Sequence, residues 1–258
     1  MLLTGLPVNS NVPVSTSQKR NVQGLTLCME NAIVKKKEMR IIMDIHSFIF
    51  LLMEMAGTIA FAASGAMVAI HRHMDAFGVC VLGVITAVGG GMTRDVVLGK
   101  VPAALRDPLY VIVAAAASVI VFCIFYFRQD LFKGKTGEWY ERIMLIMDSI
   151  GLGIFTAFGV KTGIDAGYLD NTFLLAFVGT VTGVGGGLLR DMMAGVPPYI
   201  FVRHVYACAS IGGAVVCIYM YRFWGELPAM VISAGVVMLI RYLAAHYRWN
   251  LPRIERDE

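Results

Sequence analysis

Two segments of the chain repeat the same unusual pattern, Gly-Gly-Gly-X-X-Arg-Asp, at Gly89–Asp95 and at Gly185–Asp191. Each glycine in a helix interior costs about 1 kcal/mol relative to alanine, so a run of three favours an opened turn. At membrane depth, freed carbonyls are tolerated only beside protein or water, where they can act as ligands for an alkali cation. The pattern therefore predicts hinges that line an aqueous path, with close helix packing as the alternative. The predicted hinge residues are Gly89, Gly90, Gly91, Gly185, Gly186 and Gly187.

Each glycine triplet is followed by an Arg-Asp pair, Arg94-Asp95 in the first segment and Arg190-Asp191 in the second. Ionisable residues in a membrane cost at least about 2.5–3.5 kcal/mol each, so they should be paired or hydrated. Because neighbours in sequence point in different directions on a helix, we expect pairing between the segments, or with a helix end. These four residues form the predicted charge cluster, with interfacial snorkelling as the alternative. Their matched positions predict similar effects for Arg94→Ala and Arg190→Ala.

Three further charged residues are candidates for a pore mouth: Glu54, Asp148 and Lys161. Glu54 and Asp148 occupy equivalent places, predicted to be the first turns of two helices, and would attract cations. Stabilisation of a helix N-terminus is an equally good explanation of both acids. We find no catalytic set and no cysteine pair or histidine cluster with metal-ligand spacing. We therefore predict no enzyme, no metal site and no cofactor, with potassium or sodium ions present only as permeant species.

The composition sets the class of protein. Of 258 residues, 57% are hydrophobic and 16% are charged, compared with roughly 45–50% and about 25% in ordinary globular proteins. A net charge of +4 is too small to indicate a nucleic-acid partner. These values exclude a disordered chain and a disulfide scaffold, and they indicate a protein whose partner is the lipid bilayer.

Seven apolar segments reach the length of about 20 residues that a bilayer core requires. Because backbone groups in lipid must be hydrogen-bonded internally, all seven are predicted to be helices, and the fold class is an all-α membrane protein. The predicted spans are about 47–70, 76–93, 108–127, 143–162, 172–189, 199–221 and 228–246.

The similarity between the two halves extends beyond the glycine motifs. Glu54 pairs with Asp148, Phe61 with Phe155, and Tyr110 with Tyr206. We therefore predict two three-helix units, residues 43–128 and 143–224, followed by an additional seventh helix at 227–246. Because three is odd, the second unit enters the membrane from the opposite side, which makes this an inverted-topology repeat.

The two ends of the chain lie outside this repeat. Residues 1–42 are predicted to be a disordered extension or a wrongly assigned start, with a cytoplasmic tail as the alternative. When that segment is set aside, Lys and Arg in the short loops place the C-terminus and the tail 247–258 in the cytoplasm.

With the doubled motif and the count of three, three and one helices, residues 45–246 resemble the prokaryotic branch of the trimeric intracellular cation (TRIC) channel family. That branch also carries the labels UPF0126 and glycine transporter family. The resemblance implies a homotrimer with a separate water-filled pore through each protomer, around which the glycine motifs kink the second and fifth helices. The expected function is a passive monovalent cation channel, chiefly for potassium, in the bacterial inner membrane. The alternative is a secondary transporter of glycine or a similar small zwitterion.

Overall fold

The computed structural model describes residues 45–127, 136–202, 205–247 and 249. The predicted extension 1–42 and almost all of the predicted tail 247–258 therefore lie outside the described residues. The site described below lies within one compact unit, formed by the described residues from Phe50 onward.

Within the described ranges the chain forms helices joined by turns, and no strand occurs there. Seven of the helices are long and apolar enough to cross a membrane, judged by length and composition, which agrees with the predicted fold class. The seven long helices are α1 (Ile45–His71), α2 (Ala76–Val97), α4 (Leu109–Phe127), α5 (Thr136–Asp165), α6 (Thr172–Met193), α8 (Tyr206–Trp224) and α9 (Glu226–His246). Two short helices stand between them, α3 (Ala103–Arg106) and α7 (Tyr199–Val202).

Two predicted boundaries differ from the structure. The sixth span begins at Tyr206 rather than at residue 199, because Tyr199–Val202 forms the separate helix α7. The fourth span begins at Thr136, seven residues before the predicted start at 143. Proline precedes both short helices, at Pro102 and Pro198, where its fixed φ suits a helix start. Each repeat is therefore two long helices, one short helix and one long helix.

Small residues bring the first two helices of each repeat together. A Cβ atom at Gly65 of α1 would lie 2.8 Å from the Cα atom of Gly83 in α2, and one at Gly159 of α5 would lie 2.7 Å from the Cα atom of Gly179 in α6. Such close approach of backbones is the usual way in which membrane helices associate. The additional helix α9 packs against α5 and α8 of the second repeat.

The ends of α2 and α6 close in the same way. Gly99 and Gly195 adopt positive φ angles of 67° and 65°, and the next residue in each case donates its N–H to the carbonyl of the aspartate in the motif, over 2.8 Å for Lys100 and 3.0 Å for Val196. This is the Schellman arrangement, which favours glycine at the residue after the cap. This turn sets the direction of the backbone after each Arg-Asp pair.

Candidate functional site

The glycine triplets lie inside unbroken helices. Helix α2 is continuous from Ala76 to Val97, and α6 is continuous from Thr172 to Met193. The predicted opened turns with exposed carbonyls are therefore wrong for this structure. The cost of helical glycine is offset here by a helix crossing that larger side chains would prevent.

That crossing is formed by the middle glycine of each triplet. A Cβ atom at Gly90 would overlap the carbonyl oxygen of Thr182, and one at Gly186 would overlap the carbonyl oxygen of Thr86. A Cβ atom at Gly185 would lie 3.0 Å from the Cα atom of Gly90. The alternative of close helix packing is thus what the structure shows.

The first glycine of the α2 triplet also lies at this crossing, where a Cβ at Gly89 would lie 2.5 Å from Leu189 Cδ1. The third glycines face polar side chains of their own repeat. A Cβ at Gly91 would have only Arg94 Nη2 nearby, at 3.7 Å, whereas one at Gly187 would lie 2.6 Å from Tyr206 Oη. The space beside the triplet is therefore open in the first repeat and filled by a tyrosine in the second.

Two repeat-related phenylalanines close the interior beside the crossing. The ring centroids of Phe61 and Phe155 lie 5.3 Å apart, and Phe61 is 1% exposed. A Cβ at Gly186 would lie 3.2 Å from the Phe61 ring. Leu152 and Val184 belong to the same apolar core. We call Phe61 and Phe155 the aromatic pair.

The first-repeat cluster consists of Glu54, Arg94, Asp95 and Tyr110. Arg94 Nε donates to Asp95 Oδ1 over 2.8 Å, and the other oxygen of Asp95 accepts the backbone N–H of Ala103, also over 2.8 Å. Tyr110 Oη donates to Glu54 Oε2 over 2.8 Å.

The second-repeat cluster consists of Asp148, Arg190, Asp191 and Tyr206. Arg190 Nε donates to Asp191 Oδ1 over 2.8 Å, and Tyr199 N–H donates to Asp191 Oδ2 over 2.8 Å. Arg190 Nη1 also donates to Asp148 Oδ1 over 2.8 Å and to Ser64 Oγ. Tyr206 Oη lies 3.4 Å from Asp148 Oδ1. The second cluster therefore repeats the residue types of the first, but its carboxylate Asp148 is buried whereas Glu54 is partly exposed.

The predicted pairing between the two motifs is wrong, because each arginine binds the aspartate that follows it. The long arginine side chain brings Nε back to the adjacent carboxylate, although the two Cα–Cβ bonds point in different directions. Each aspartate then uses its second oxygen to cap the start of the next short helix, α3 or α7. The Arg-Asp pair therefore joins two consecutive elements within one repeat.

The three candidate pore-mouth residues have different positions. Glu54 lies nine residues after the first residue of α1, so its predicted place in a first turn is wrong, and it is partly exposed. Asp148 is completely buried, so its predicted place in a first turn at a mouth is wrong, because α5 begins earlier than predicted. Lys161 Nζ forms an ion pair with Asp165 within α5 over 2.7 Å and a second with Glu226 over 2.6 Å, and the second connects α5 to α9.

Three residues of the second-repeat site, Ser64, Tyr206 and Arg241, were not predicted as site residues; for Tyr206 the sequence indicated only its pairing with Tyr110 in the repeat. Ser64 of α1 accepts from Arg190, and Arg241 of α9 lies 3.5 Å from Asp148 Oδ2 through Nη2. Arg241 had a visible signal, since it is an arginine inside an apolar span, and such residues are functional candidates by default. No such signal distinguishes Ser64 from other serines.

A cavity lies beside each cluster, and the two open toward opposite ends of α1. The first, of about 40 Å³, is lined by Glu54, Thr58, Gly91, Arg94, Asp95 and Tyr110, among others. The second, of about 400 Å³, is lined by His71, Arg72, Tyr140, Glu141, Asp191 and Tyr199, among others. Glu54 and Arg72 are about 27 Å apart along the helix at 1.5 Å per residue. The site therefore has a charged cluster toward each membrane face and the aromatic pair between them.

Comparison with known proteins identifies the family of the chain. The family model described as "Glycine transporter" matches residues 51–126 and 145–222, the two repeats. The UPF0126 inner membrane protein YadS of Escherichia coli K12 is 35% identical over 209 residues, covering 80% of this chain and 96% of the relative. A UPF0126 membrane protein of Deinococcus radiodurans is 32% identical over 203 residues, covering 78% of this chain and 89% of the relative.

Solved structures give the same result. A TRIC cation channel, studied for its conductance, is 34% identical, with a TM-score of 0.68 over 80% of this chain and 98% of that chain. The TRIC trimeric intracellular cation channel orthologue from Rhodobacter sphaeroides is 27% identical, with a TM-score of 0.70 over 78% of this chain and 99% of that chain. These proteins are channels or membrane proteins rather than enzymes, which agrees with the prediction. The chain therefore belongs to the UPF0126 family of membrane proteins, whose family model is described as a glycine transporter, and it shares the fold of the TRIC channels.

Proposed function

We propose that the protein is a passive channel for monovalent cations, chiefly potassium, in the bacterial inner membrane. The observation that carries the proposal is the alignment of three features along α1. The first-repeat cluster lies toward one face, the second-repeat cluster lies toward the other, and the aromatic pair separates them. The similarity to solved TRIC cation channels supports the same function.

The arrangement describes a closed path within one protomer, between α1, α2, α5 and α6. Carboxylates toward a mouth raise the local concentration of cations, and Glu54 is the partly exposed carboxylate of the first-repeat cluster. A hydrated ion cannot cross the dry contact between Phe61 and Phe155, because apolar constrictions exclude water. Conduction therefore requires the aromatic pair to separate, and the smooth glycine surfaces of α2 and α6 permit the helices to move. The TRIC orthologue from Rhodobacter sphaeroides is trimeric, and we extend its trimeric assembly to this chain.

A test of the closed path uses the purified protein in liposomes and the variants Phe61→Ala and Phe155→Ala. Removing either ring widens the constriction, so we expect potassium flux to rise severalfold above the wild type. Phe173→Ala is the matched control, since Phe173 is 81% exposed on α6, and its flux should equal that of the wild type. Equal fluxes for all four proteins would contradict the role of the aromatic pair.

A secondary transporter of glycine or a similar small zwitterion is the second candidate. Two observations favour it: the description of the matching family model and two cavities on opposite sides of an apolar barrier, as alternating access requires. The same liposomes separate the candidates. A channel gives currents whose reversal potential follows the potassium gradient, whereas a transporter gives saturable uptake of labelled glycine without unitary currents.

A further inference from the structure

The additional helix α9 contributes one buried charge to the site, and that charge has no counterpart in the first repeat. Arg241 is 3% exposed, and its Nη2 lies 3.5 Å from Asp148 Oδ2. Its guanidinium carbon lies 4.8 Å from the centre of the Tyr206 ring, a distance at which a cation is attracted to an aromatic face. Because α9 lies outside the repeat, pseudo-symmetry supplies no equivalent arginine beside Glu54.

Arg241 makes the two clusters electrically unequal. The first-repeat cluster has two carboxylates, Glu54 and Asp95, and one guanidinium, Arg94. The second-repeat cluster also has two carboxylates and one guanidinium of its own, but Arg241 supplies a second cation to Asp148. When every carboxylate and guanidinium is charged, the first cluster has one excess negative charge and the second cluster has a net charge of zero.

Other charges near each cluster either have partners of their own or, like Lys100 and Arg106 beside the first cluster, are exposed to solvent, where screening weakens them. Lys161, toward the face of the first cluster, is bound by two carboxylates, Asp165 and Glu226. Toward the other face, Arg72 donates to the carbonyl oxygens of Ala194 and Gly195 over 3.0 Å and 2.9 Å. Glu141 is accompanied there by Arg142 and by His71.

Arg241 also fills space. The Arg241 guanidinium lies over the Tyr206 ring, and Tyr206 occupies the space beside Gly187. The equivalent space beside Gly91 in the first repeat is open. Within the part of the chain that the structure describes, Arg241 Nε and Arg190 Nη2 are buried without a hydrogen-bond partner. The second-repeat cluster therefore has no net charge and contains hydrogen-bond donors without partners.

We propose that Arg241 makes the attraction of cations one-sided, by neutralising the second-repeat cluster so that cations concentrate at the Glu54 side of the path. The inference rests on the proposed channel function. It identifies α9, which the inverted repeat does not require, as the element that distinguishes the two mouths. In wild-type protein, cations should enter more readily from the Glu54 side than from the opposite side.

The first experiment records single-channel currents of the reconstituted wild type, Arg241→Met and Glu54→Gln in symmetric KCl at low ionic strength, where charges are least screened. We expect the wild type to rectify by about twofold or more, because a charged mouth raises the local cation concentration. Arg241→Met leaves both clusters with the same excess charge, and Glu54→Gln leaves both without one. The rectification ratio of each variant should therefore move toward one.

The second experiment tests the charge balance without any need for conduction. Asp148→Asn leaves two guanidinium groups facing one carboxylate, and adding Arg241→Met restores the balance. We expect the double variant to recover more than half of the loss in melting temperature caused by Asp148→Asn in detergent. The control pair, Glu54→Gln with Arg241→Met, joins residues of different clusters and should show additive losses.

The outcomes separate the two proposals. Potassium currents with unchanged rectification in Arg241→Met overturn this inference alone. So do additive losses of melting temperature when Asp148→Asn and Arg241→Met are combined. A wild type that passes no potassium current overturns the channel function together with the one-sided conduction that depends on it. Reduced rectification together with the recovered melting temperature supports the assignment.

Discussion

At the scale of single residues, two identical Arg-Asp pairs have different surroundings. Both arginines donate to the following aspartate over the same distance of 2.8 Å. Arg190 additionally binds Asp148 and Ser64 and is fully buried, whereas Arg94 lies beside the first cavity. The difference comes from residues outside the motif, and it determines how much each arginine contributes to stability.

The surroundings predict that Arg190→Ala is more damaging than Arg94→Ala, in contrast to the equal effects that the matched motifs suggest. Arg190→Ala removes the guanidinium that binds both buried carboxylates, Asp148 and Asp191, and Arg241 then remains beside Asp148. Breaking a buried ion pair on one side costs about 3–5 kcal/mol, and we expect a loss of that size for Arg190→Ala and a smaller one for Arg94→Ala. Thermal unfolding in detergent measures both, and equal losses would show that the additional partners of Arg190 contribute nothing.

The sequence identified the acidic residues and arginines of the two clusters, with Glu54 and Asp148 as pore-mouth candidates, but it paired Tyr110 with Tyr206 only as members of the repeat. It did not identify the partners within them. The bond from Arg190 to Asp191 depends on a side-chain rotamer, and the bond to Ser64 depends on which face of α1 meets α6. Neither property can be read from spacing alone, whereas Arg241 could have been identified as an arginine within an apolar span.

At the scale of helices, the glycine triplets act through packing. Three glycines weaken an isolated helix, but α2 and α6 cross so closely that the backbone of one helix lies against the triplet of the other. The sequence therefore indicated the correct residues and the wrong local structure. Hydropathy located the seven spans well, yet four-residue helices such as α3 and α7 are too short to produce a recognisable period.

The crossing predicts that alanine is harmful at the middle glycines and tolerated at an open position such as Gly235. Gly90→Ala and Gly186→Ala place a Cβ against a carbonyl of the partner helix, and we expect a loss of about 1–3 kcal/mol from overpacking. Gly235→Ala in α9 is the control, since a Cβ there meets nothing within 4 Å, and its better helix propensity should stabilise the protein by up to about 1 kcal/mol. Chemical denaturation in detergent gives these values. A tolerated alanine at both Gly90 and Gly186 would mean that the crossing is loose.

At the scale of the whole molecule, inversion of the repeat explains why the clusters lie toward opposite faces. Each cluster stands where the second helix of its repeat ends, and these ends lie on different sides because three spanning helices, α4, α5 and α6, separate them along the chain. The pseudo-two-fold relation brings Gly90 next to Gly186 and Phe61 next to Phe155 at the centre. Helix α9 then breaks the symmetry, so the two faces of a symmetric scaffold acquire different charges.

Inversion of the repeat predicts that the loop after α2 and the loop after α6 lie on opposite sides of the membrane. Lys100→Cys and Pro197→Cys, each in a cysteine-free background, place a thiol at exposed positions in these loops. The distribution of Lys and Arg in the short loops predicts a cytoplasmic C-terminal end for α9. With that orientation, a membrane-impermeant maleimide should label Lys100→Cys in intact cells and label Pro197→Cys only after permeabilisation. Ala157→Cys, at a fully buried position, should remain unlabelled in both conditions. Labelling of both loops from one side would contradict the inverted repeat, whereas the reverse pattern would retain the repeat and place the Glu54 side of the path in the cytoplasm.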